Sequence, residues 1–286
     1  MAQTRTLQRR IRSVKNAKQI TKALEVVAAS RMRRVVQLVE GSRKYGELAA
    51  SIMTRIAANP EANNLPYFKP VSDKPPIYII ITSDRGQAGA YNSNIFHVAT
   101  TAFAKERSTP QVVVFGRKGA RFFSRFSGMQ LVGAYENIED VPDVNVFAGA
   151  MEMIIDGLAS GEIGKVSIVY TQFISSLTQK ATEVQLFPMD LSQPSEEVAD
   201  RVFEFEPDIT DVIEEGIRLY LEARLMQAKV ESAASEHAMR MVAMGNANRN
   251  ASDLIDNLTL ELNATRQAAI TQEIAEITGG AAAIAA

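Results

Sequence analysis

The sequence contains no cysteine and only two histidines among its 286 residues. Without thiols, the chain has no disulfide framework, no cysteine-ligated metal site and no thiol nucleophile. Neither His97 nor His237 lies in an H-E-x-x-H pattern, which argues against zinc hydrolysis. The nucleophile-elbow pattern G-x-S-x-G is missing as well. We therefore expect no catalytic residues, no metal site and no cofactor in this chain.

Long apolar runs are also missing, since no stretch reaches eighteen apolar residues. The first thirteen residues, MAQTRTLQRRIRS, lack the apolar segment of a signal peptide. We therefore expect neither a membrane-spanning helix nor a secretory signal. An apolar fraction of 46% still suffices for a packed core, and the length fits one or two domains.

Proline is absent from residues 2–57 and from everything after Pro207, so each stretch is free to form one long helix. A strict 4,3 spacing runs through the second stretch, the repeat of a helix that supercoils against a partner. Its positions are Val230, Ala234, His237, Met241, Met244, Asn248, Ala251, Ile255, Leu258, Leu262, Thr265 and Ala269. In the first stretch the same spacing selects Leu7, Ile11 and Val14, then Leu24, Ala28, Met32 and Val35, then Leu38, Ser42, Tyr45, Ala49, Ile52 and Ile56. The two helices are expected to pair, and because both join the same central domain, they pair antiparallel.

A different composition separates the two helices. Five prolines mark residues 60–76 as a linker, and the β-branched run Ile77–Thr82 follows. Further strands are predicted at Gln111–Phe115, Val166–Gln172 and Thr182–Phe187, with helices at about 92–107, 118–126 and 147–158. Alternating strands and helices predict an α/β fold with a central Rossmann-like sheet domain.

The predicted domain boundaries follow from these changes in composition. We expect an N-terminal coiled-coil helix at 1–58, a linker at 59–76, the α/β domain at 77–190, a connecting loop at 191–208 and a C-terminal coiled-coil helix at 209–286. The second helix is the longer one, so its end is expected to extend past the first by about fifteen residues, on the order of 20 Å. That overhang carries Ile270, Ile274 and Ile277 and few charges, which suggests insertion into a sleeve of other subunits.

Charge is distributed unevenly along a chain whose net charge is only −2. Residues 1–34 hold one acidic side chain, Glu25, and a set of basic ones: Arg5, Arg9, Arg10, Arg12, Lys15, Lys18, Lys22, Arg31, Arg33 and Arg34. Basic helices joined to coiled coils bind nucleic-acid phosphates, and composition alone slightly favours that interpretation. An acidic protein surface is the other partner class, favoured by the absence of aromatic residues before Tyr45 and by the apolar end of the second helix. A solvated face is the third interpretation.

Three further stretches have ordinary structural explanations. Residues 82–92, TSDRGQAGAYN, follow a strand as a phosphate loop would, but the glycine spacing of such loops is absent and a tight βα turn is favoured. Residues 161–165, GEIGK, precede a strand and lack the Ser/Thr of a P-loop. Glu204, Glu206 and Asp208 precede the last helix, where acidic residues ordinarily complement the helix dipole.

Four blocks, in order, resemble the gamma subunit of F-type ATP synthases. They are QITKALEVVAASRM at 19–32, TSDRG with AGAYN at 82–92, SEHAMRMVAM at 235–244 and RQAAITQEI at 266–274. The resemblance covers essentially the whole chain. It implies the central rotor shaft, whose paired terminal helices turn inside a ring of three alpha and three beta subunits, while the α/β domain sits with the epsilon subunit on the c-ring.

The resemblance also implies partner contacts rather than catalysis. Lys22, Leu24, Arg31 and Arg33 match positions that meet acidic loops of the beta subunits, and Arg240, Gln267, Thr271 and Glu273 match positions that bond to the catalytic ring. Phe205 and Glu206 fall where the family contacts the c-ring and epsilon. The implied location is peripheral, on the cytoplasmic face of a bacterial plasma membrane, with membrane contact only through the c-ring and no nucleic acid bound.

Two other functions remain open at the level of sequence. If the chain is a basic coiled-coil protein that binds nucleic acid, residues 1–35 should bind a duplex in a salt-sensitive way. If the chain is a stand-alone α/β enzyme, residues 77–190 should be active or should be stabilised by a ligand.

Overall fold

The computed structural model describes residues 2–57, 66–68, 74–189 and 209–285. Its longest elements are two helices, α1 (Ala2–Ala57) and α5 (Ile209–Ala285). Between them lie β1 (Pro76–Ile81), α2 (Tyr91–Phe103), β2 (Gln111–Phe115), α3 (Arg117–Phe123), β3 (Gln130–Tyr135), α4 (Ala148–Ala159), β4 (Lys165–Phe173) and β5 (Gln179–Phe187), with short 3₁₀ turns at Pro66–Phe68 and Val144–Phe147. The predicted helices and strands are all present, which confirms the mixed α/β fold.

The chain divides into two compact units. One comprises Met1–Ala28 with Met241–Ala286, and the other comprises Ala29–Arg240. Both α1 and α5 contribute a segment to each unit. The predicted division at residues 58, 76, 190 and 208 follows composition instead, and we keep it as a proposal.

The first unit is an antiparallel pair of helix segments. Leu7 and Ile11 are buried against Leu258, with Val14, Ile255 and Leu262 packed around them. The direction follows from the contacts, because residues early in α1 line a groove with Leu262–Glu273, whereas Glu25 lies beside Gly245. These apolar positions are the ones the 4,3 spacing predicts.

In the second unit the predicted helix register is wrong over residues 38–56. Leu38, Tyr45 and Ile52 are 36–45% exposed. Within this stretch the buried seam positions are Val39, Gly46, Ala49, Met53 and Ile56, and only Ala49 and Ile56 are shared with the prediction. Gly46 explains the difference, because a Cβ there would stand 2.4 Å from Oε1 of Gln227. The Gln227 side chain of α5 lies against Gly46 and would have to move for a larger residue, so the contact between the helices runs along Gly46 rather than Tyr45.

The sheet of the second unit has the strand order β3-β2-β1-β4-β5. β1 pairs in parallel with β2 and β4, β2 pairs in parallel with β3, and β5 is antiparallel to β4. This is the order of the dinucleotide-binding folds, in which the carboxyl ends of the strands form a ligand-binding edge. The predicted Rossmann-like sheet is thus confirmed, and β3 is a strand that the sequence did not reveal.

Both faces of the sheet are covered, which accounts for the continuous apolar run of β1. Ile77, Ile79 and Ile81 point to one face and contact α4 and the segments of α1 and α5 that belong to this unit. Tyr78 and Ile80 point to the other face, where α2 and α3 cover them. All five side chains are fully buried.

Residues 227–235 of α5 are buried on every side. The helix passes over the carboxyl end of β4, where the hydroxyl of Ser232 accepts a hydrogen bond from the Thr171 amide and that of Ser235 donates to the Thr171 carbonyl. Polar side chains in such a helix need partners within the protein. Within the described ranges, no helix has the length and apolarity needed to cross a lipid bilayer.

Candidate functional site

A charged cleft opens in the second unit at the carboxyl ends of β1, β2 and β3. Its volume is ≈ 660 Å³. It is lined by Arg31, Arg34, Val35 and Leu38 of α1, by Asp84, Arg85, Arg117 and residues 137–141 of the strand ends, and by Lys229, Glu236, His237 and Arg240 of α5. The cleft therefore joins the terminal helices to the edge of the sheet where such folds bind ligands.

Asp84 ties three strand ends together. Its Oδ1 accepts hydrogen bonds from the amides of Arg117 at 2.9 Å and Asn137 at 3.0 Å, and its Oδ2 accepts one from Ile138 at 3.1 Å. Hydrogen bonds to a carboxylate are stronger than those between neutral groups. The Asp84 carboxylate thereby holds the turn after β2 and the loop after β3 against the end of β1.

The neighbouring residues of this turn have the same structural role. Thr82 Oγ1 accepts a hydrogen bond from the Gly119 amide at 3.0 Å, and Ser83 Oγ accepts one from Asn92 Nδ2 at 2.7 Å. Gly116 adopts φ +114°, and a Cβ there would lie 2.3 Å from the Thr82 carbonyl oxygen. These contacts support the interpretation of residues 82–92 as a tight βα turn.

A chain of polar contacts links α5 to the loop after β3. His237 Nε2 lies 2.9 Å from Oδ2 of Asp140, and Arg240 Nη1 lies 3.2 Å from His237 Nδ1. Since the guanidinium can only donate, Nδ1 accepts and Nε2–H donates to Asp140. Arg240 also forms an ion pair with Glu236 and reaches the Gly86 carbonyl at 3.4 Å. His237 is thus a buried, packed histidine.

The electrostatics of Asp140 give stability a dependence on pH. Burial by itself would raise its pKa, but the hydrogen bond and further electrostatic effect of His237 and the charges of Lys229 and Arg31 lower the pKa below the ordinary 3.8. A lowered folded-state pKa stabilises the fold above the unfolded value and loses that contribution as pH falls through the folded-state value.

We therefore expect the Asp140→Asn variant to lose less stability than the parent as pH falls below about 4. Urea unfolding followed at a series of acidic pH values measures the difference. Asp143→Asn, at an exposed turn of the same loop, controls for general acid denaturation. Parallel pH profiles for the parent and Asp140→Asn would contradict the assignment.

A second charged contact joins α1, α5 and β4. Arg43 Nε and Nη2 each lie 2.9 Å from the Glu231 carboxylate, which is fully buried. Glu231 also accepts hydrogen bonds from the Phe173 amide and from Gln227 Nε2, both at 3.0 Å. The hydrogen bonds to Glu231 raise the pKa of Arg43, so the guanidinium stays charged throughout the ordinary pH range.

The predicted partner-contact residues of the first unit lie at two separate places. Lys22 is exposed and pairs with Glu25 at 3.2 Å, and Leu24 is half-buried. Gln267, Thr271 and Glu273 are exposed at the other end of the unit, where Glu273 shares a groove with Arg5. Lys22 lies 17 residues beyond Arg5 on α1, about 25 Å along the helix axis.

In the second unit, Arg31 and Arg240 line the same cleft, and Arg33 is exposed on α1. Arg31 lies 3.8 Å from Asp140, whereas the Arg240 guanidinium is buried and already has several polar partners. Phe205 and Glu206 lie outside the described residues, as does the acidic group that precedes the last helix. The roles of all these residues stay predictions.

Other sequence candidates do not come together as a site. His97 is exposed on α2, far along the chain from the buried His237, and Gly161 forms a turn with φ +68°. Among the described residues, no three His, Asp or Glu side chains are grouped as metal ligands would be.

Three residues of structural importance could not be identified from the sequence. Asp140, Lys229 and Glu231 each acquire their significance from segments distant in the chain. The one available signal was the presence of Lys229 and Glu231 within a run of small and apolar residues. Charges in such a run indicate buried polar contacts rather than a solvated face.

The fold and its contacts define a class: α/β proteins with a Rossmann-like sheet, paired terminal helices and exposed charged and apolar helix faces suited to binding partners. The family described as ATP synthase matches residues 3–284. The ATP synthase gamma chain of Clostridium kluyveri is 35% identical over 279 residues, covering 98% of this chain and 97% of its own.

Solved structures agree with the sequence relatives. The central stalk and c-ring structure of the Tetrahymena thermophila mitochondrial ATP synthase matches with TM-score 0.63 and 25% identity, covering 80% of this chain and 99% of the matched chain. An F1 and c-ring structure of the Euglena gracilis enzyme has the same fold, with TM-score 0.69 and 20% identity over 99% of this chain and 95% of the matched chain. The chain belongs to the ATP synthase gamma chain family.

Proposed function

We propose that this chain is the central rotor shaft of an F-type ATP synthase, which couples rotation of a proton-driven c-ring to conformational cycling of the catalytic beta subunits. Family membership over nearly the whole chain carries the proposal. The chain supplies no catalytic residue or cofactor of its own in this proposal. Its partners are the ring of alpha and beta subunits, the epsilon subunit and the c-ring, at the cytoplasmic face of a bacterial plasma membrane.

The end of α5 supports insertion into a sleeve of partner subunits. Residues 271–279 are all exposed, and Ile274 and Ile277 are 56% and 71% accessible. Large apolar side chains on a helix end favour burial against another protein. Gln267, Thr271 and Glu273 lie in the same region and would bond to the catalytic ring.

The basic residues of α1 support contact with acidic loops. Arg5, Arg9, Arg10, Arg12 and Lys15 are exposed in the first unit, and Arg31, Arg33 and Arg34 in the second. We assign the beta-subunit contacts to Lys22, Leu24, Arg31 and Arg33, and those of the c-ring and epsilon to Phe205 and Glu206. Rim charges of this kind tune association rate and register more than affinity. Arg240 would need to exchange its partners within the chain for a contact with the ring.

Co-assembly tests the proposal directly. Mixed with the alpha and beta subunits of a matching synthase, the full chain is expected to enter a complex in which one copy accompanies three catalytic subunits. The mass of the complex and its ATP hydrolysis are measured together, with a variant truncated after residue 269 as the comparison. We expect truncation to weaken assembly or coupling while the sheet stays folded, because those residues make no contribution to the second unit.

A chain that stays alone in this mixture would refute the rotor assignment. The alternative, a basic coiled-coil protein that binds nucleic acid, has no support from the comparisons, since the matched family and relatives are ATP synthase chains. Salt-sensitive duplex binding by the full chain is the measurement that would restore it.

A further inference from the structure

Lys229 differs from the other polar residues of the buried stretch 227–235 of α5, because its side chain has no partner within the described ranges while theirs are hydrogen-bonded. It is only 6% exposed, and its ammonium has no hydrogen-bond or ion-pair partner among the described residues. Its neighbours Gln227, Glu231, Ser232 and Ser235 are all hydrogen-bonded. The ammonium itself is not sealed from solvent and reaches the cleft, where a charge without an ion-pair partner is free to contact a ligand.

Further cationic side chains line the same cleft. Arg34 and Arg85 are exposed on its rim and have no side-chain partner in the described part of the chain. The Arg117 guanidinium donates to Asn137 Oδ1 at 3.0 Å and forms an ion pair with Oε2 of Glu136 at 3.7 Å, while its Nε has no hydrogen-bond acceptor among the described residues. The cationic side chains that line the cleft thus come from α1, from the ends of β1 and β2, and from α5.

The carboxylates that line the cleft accept no hydrogen bond from the side chains of Lys229, Arg34 or Arg85. Asp84 accepts three backbone amides, Asp140 pairs with His237, and Glu236 pairs with Arg240. Glu139, the fourth, is exposed to solvent. Six cationic side chains and four carboxylates line the cleft, so it has an excess of two positive charges when His237 is neutral.

We propose that this cleft binds a phosphate group, with Lys229 as its buried anchor and Arg34, Arg85 and Arg117 as the donors that surround it. An unpaired ammonium and guanidinium groups on several sides are the chemistry that recognises a phosphate oxyanion. The carboxyl edge of a sheet with this strand order is where such ligands bind. A volume of ≈ 660 Å³ accommodates either inorganic phosphate or a nucleotide that carries the group.

This site is independent of the rotor assignment, because it requires only the second unit of the isolated chain. It also explains why burial is tolerated at Lys229. Desolvation lowers the pKa of that ammonium, against the opposing effect of Glu236, Asp140 and Asp84. A bound phosphate would supply the negative charge that the cleft itself does not place in contact with Lys229.

Calorimetric titration of the full chain tests the site with inorganic phosphate, pyrophosphate and ATP as separate probes, at constant ionic strength set by chloride. We expect saturable binding of at least one probe, and the probe that binds most tightly distinguishes free phosphate from a nucleotide. In the Lys229→Met variant, binding is expected to weaken by about tenfold, the loss typical of one charge-assisted hydrogen bond. Because the substitution removes an unpaired buried charge, the variant is expected to fold.

Arg85→Gln is the second test, since this exposed side chain can be changed without disturbing the core. It is expected to weaken binding by severalfold, whereas Lys180→Met, an exposed change on β5 outside the cleft, is expected to leave binding unchanged. No binding of any probe at millimolar concentration would overturn the proposal. The proposal would also be overturned if all three variants lost affinity for the probes equally. It would likewise be overturned if the cleft bound an acidic peptide that phosphate does not displace.

Discussion

Replacing Arg43 with Ala is expected to lower the free energy of unfolding by about 3 kcal/mol, because it leaves the carboxylate of Glu231 buried without its ion-pair partner. Glu231 is fully buried, and two of its hydrogen bonds come from the guanidinium. Since about a third of the Arg43 side chain is exposed (34%), we place the loss at the lower end of the range for buried pairs. Urea unfolding at neutral pH measures the change.

The adjacent residue on α1 provides a matched control. Lys44 pairs with Glu40 at 2.8 Å, but both side chains are highly exposed, so Lys44→Ala is expected to leave stability unchanged. Replacing both Arg43 and Glu231 with Met is expected to restore most of the loss, because this contact then contains no unpaired carboxylate. If Arg43→Ala and Lys44→Ala had equal effects, the contact between α1, α5 and β4 would not be important for stability.

Asp84→Ala is the second substitution with a large expected effect, a loss of about 3 kcal/mol of unfolding free energy. The reason is that three backbone amides, from the segments after β2 and β3, lose their common acceptor at once. Thermal and urea unfolding of the full chain measure the loss. Asp84→Asn is expected to fall between the parent and Asp84→Ala, since the amide keeps an acceptor oxygen but loses the charge.

Asp143→Ala controls for the removal of an aspartate that caps a turn. The Asp143 carboxylate accepts a single backbone hydrogen bond, from the Asn145 amide at 2.9 Å, and the loss of that bond is expected to cost about 1 kcal/mol or less. If Asp84→Ala lowered the free energy of unfolding no more than Asp143→Ala, the TSDRG turn would need a role other than holding the strand ends together.

Much of the fold could be predicted because it depends on periodic or local patterns. The 4,3 spacing from Val230 to Ala269 and the apolar run of β1 are both confirmed by burial. The register over residues 38–56 was wrong because the bulky residues Leu38 and Tyr45 also keep a 4,3 spacing, and only contact with Gln227 shows that Gly46 belongs to the interface. β3 escaped prediction because it is an edge strand with Gly133 at its centre and no fully buried residue.

The family could be predicted from four motif blocks, but the contacts of their residues could not. Arg240 lies within one block, and nothing in its neighbours along the chain indicates the contact with Gly86, 154 residues away. Lys229 lies outside every block, and its importance depends on the cleft that the strand ends and both helices enclose. Long-range pairs of this kind leave no periodic trace in a single sequence.

The sequence by itself determined the helical nature of both termini, the α/β character of the middle and the family, because spacing, composition and ordered motifs are properties of neighbouring residues. Only the tertiary structure decided which face of α1 is buried, which carboxylates are already satisfied and which cations are not. The physical reason is that the energy of a buried charge depends on every group that surrounds it, whatever its distance along the chain.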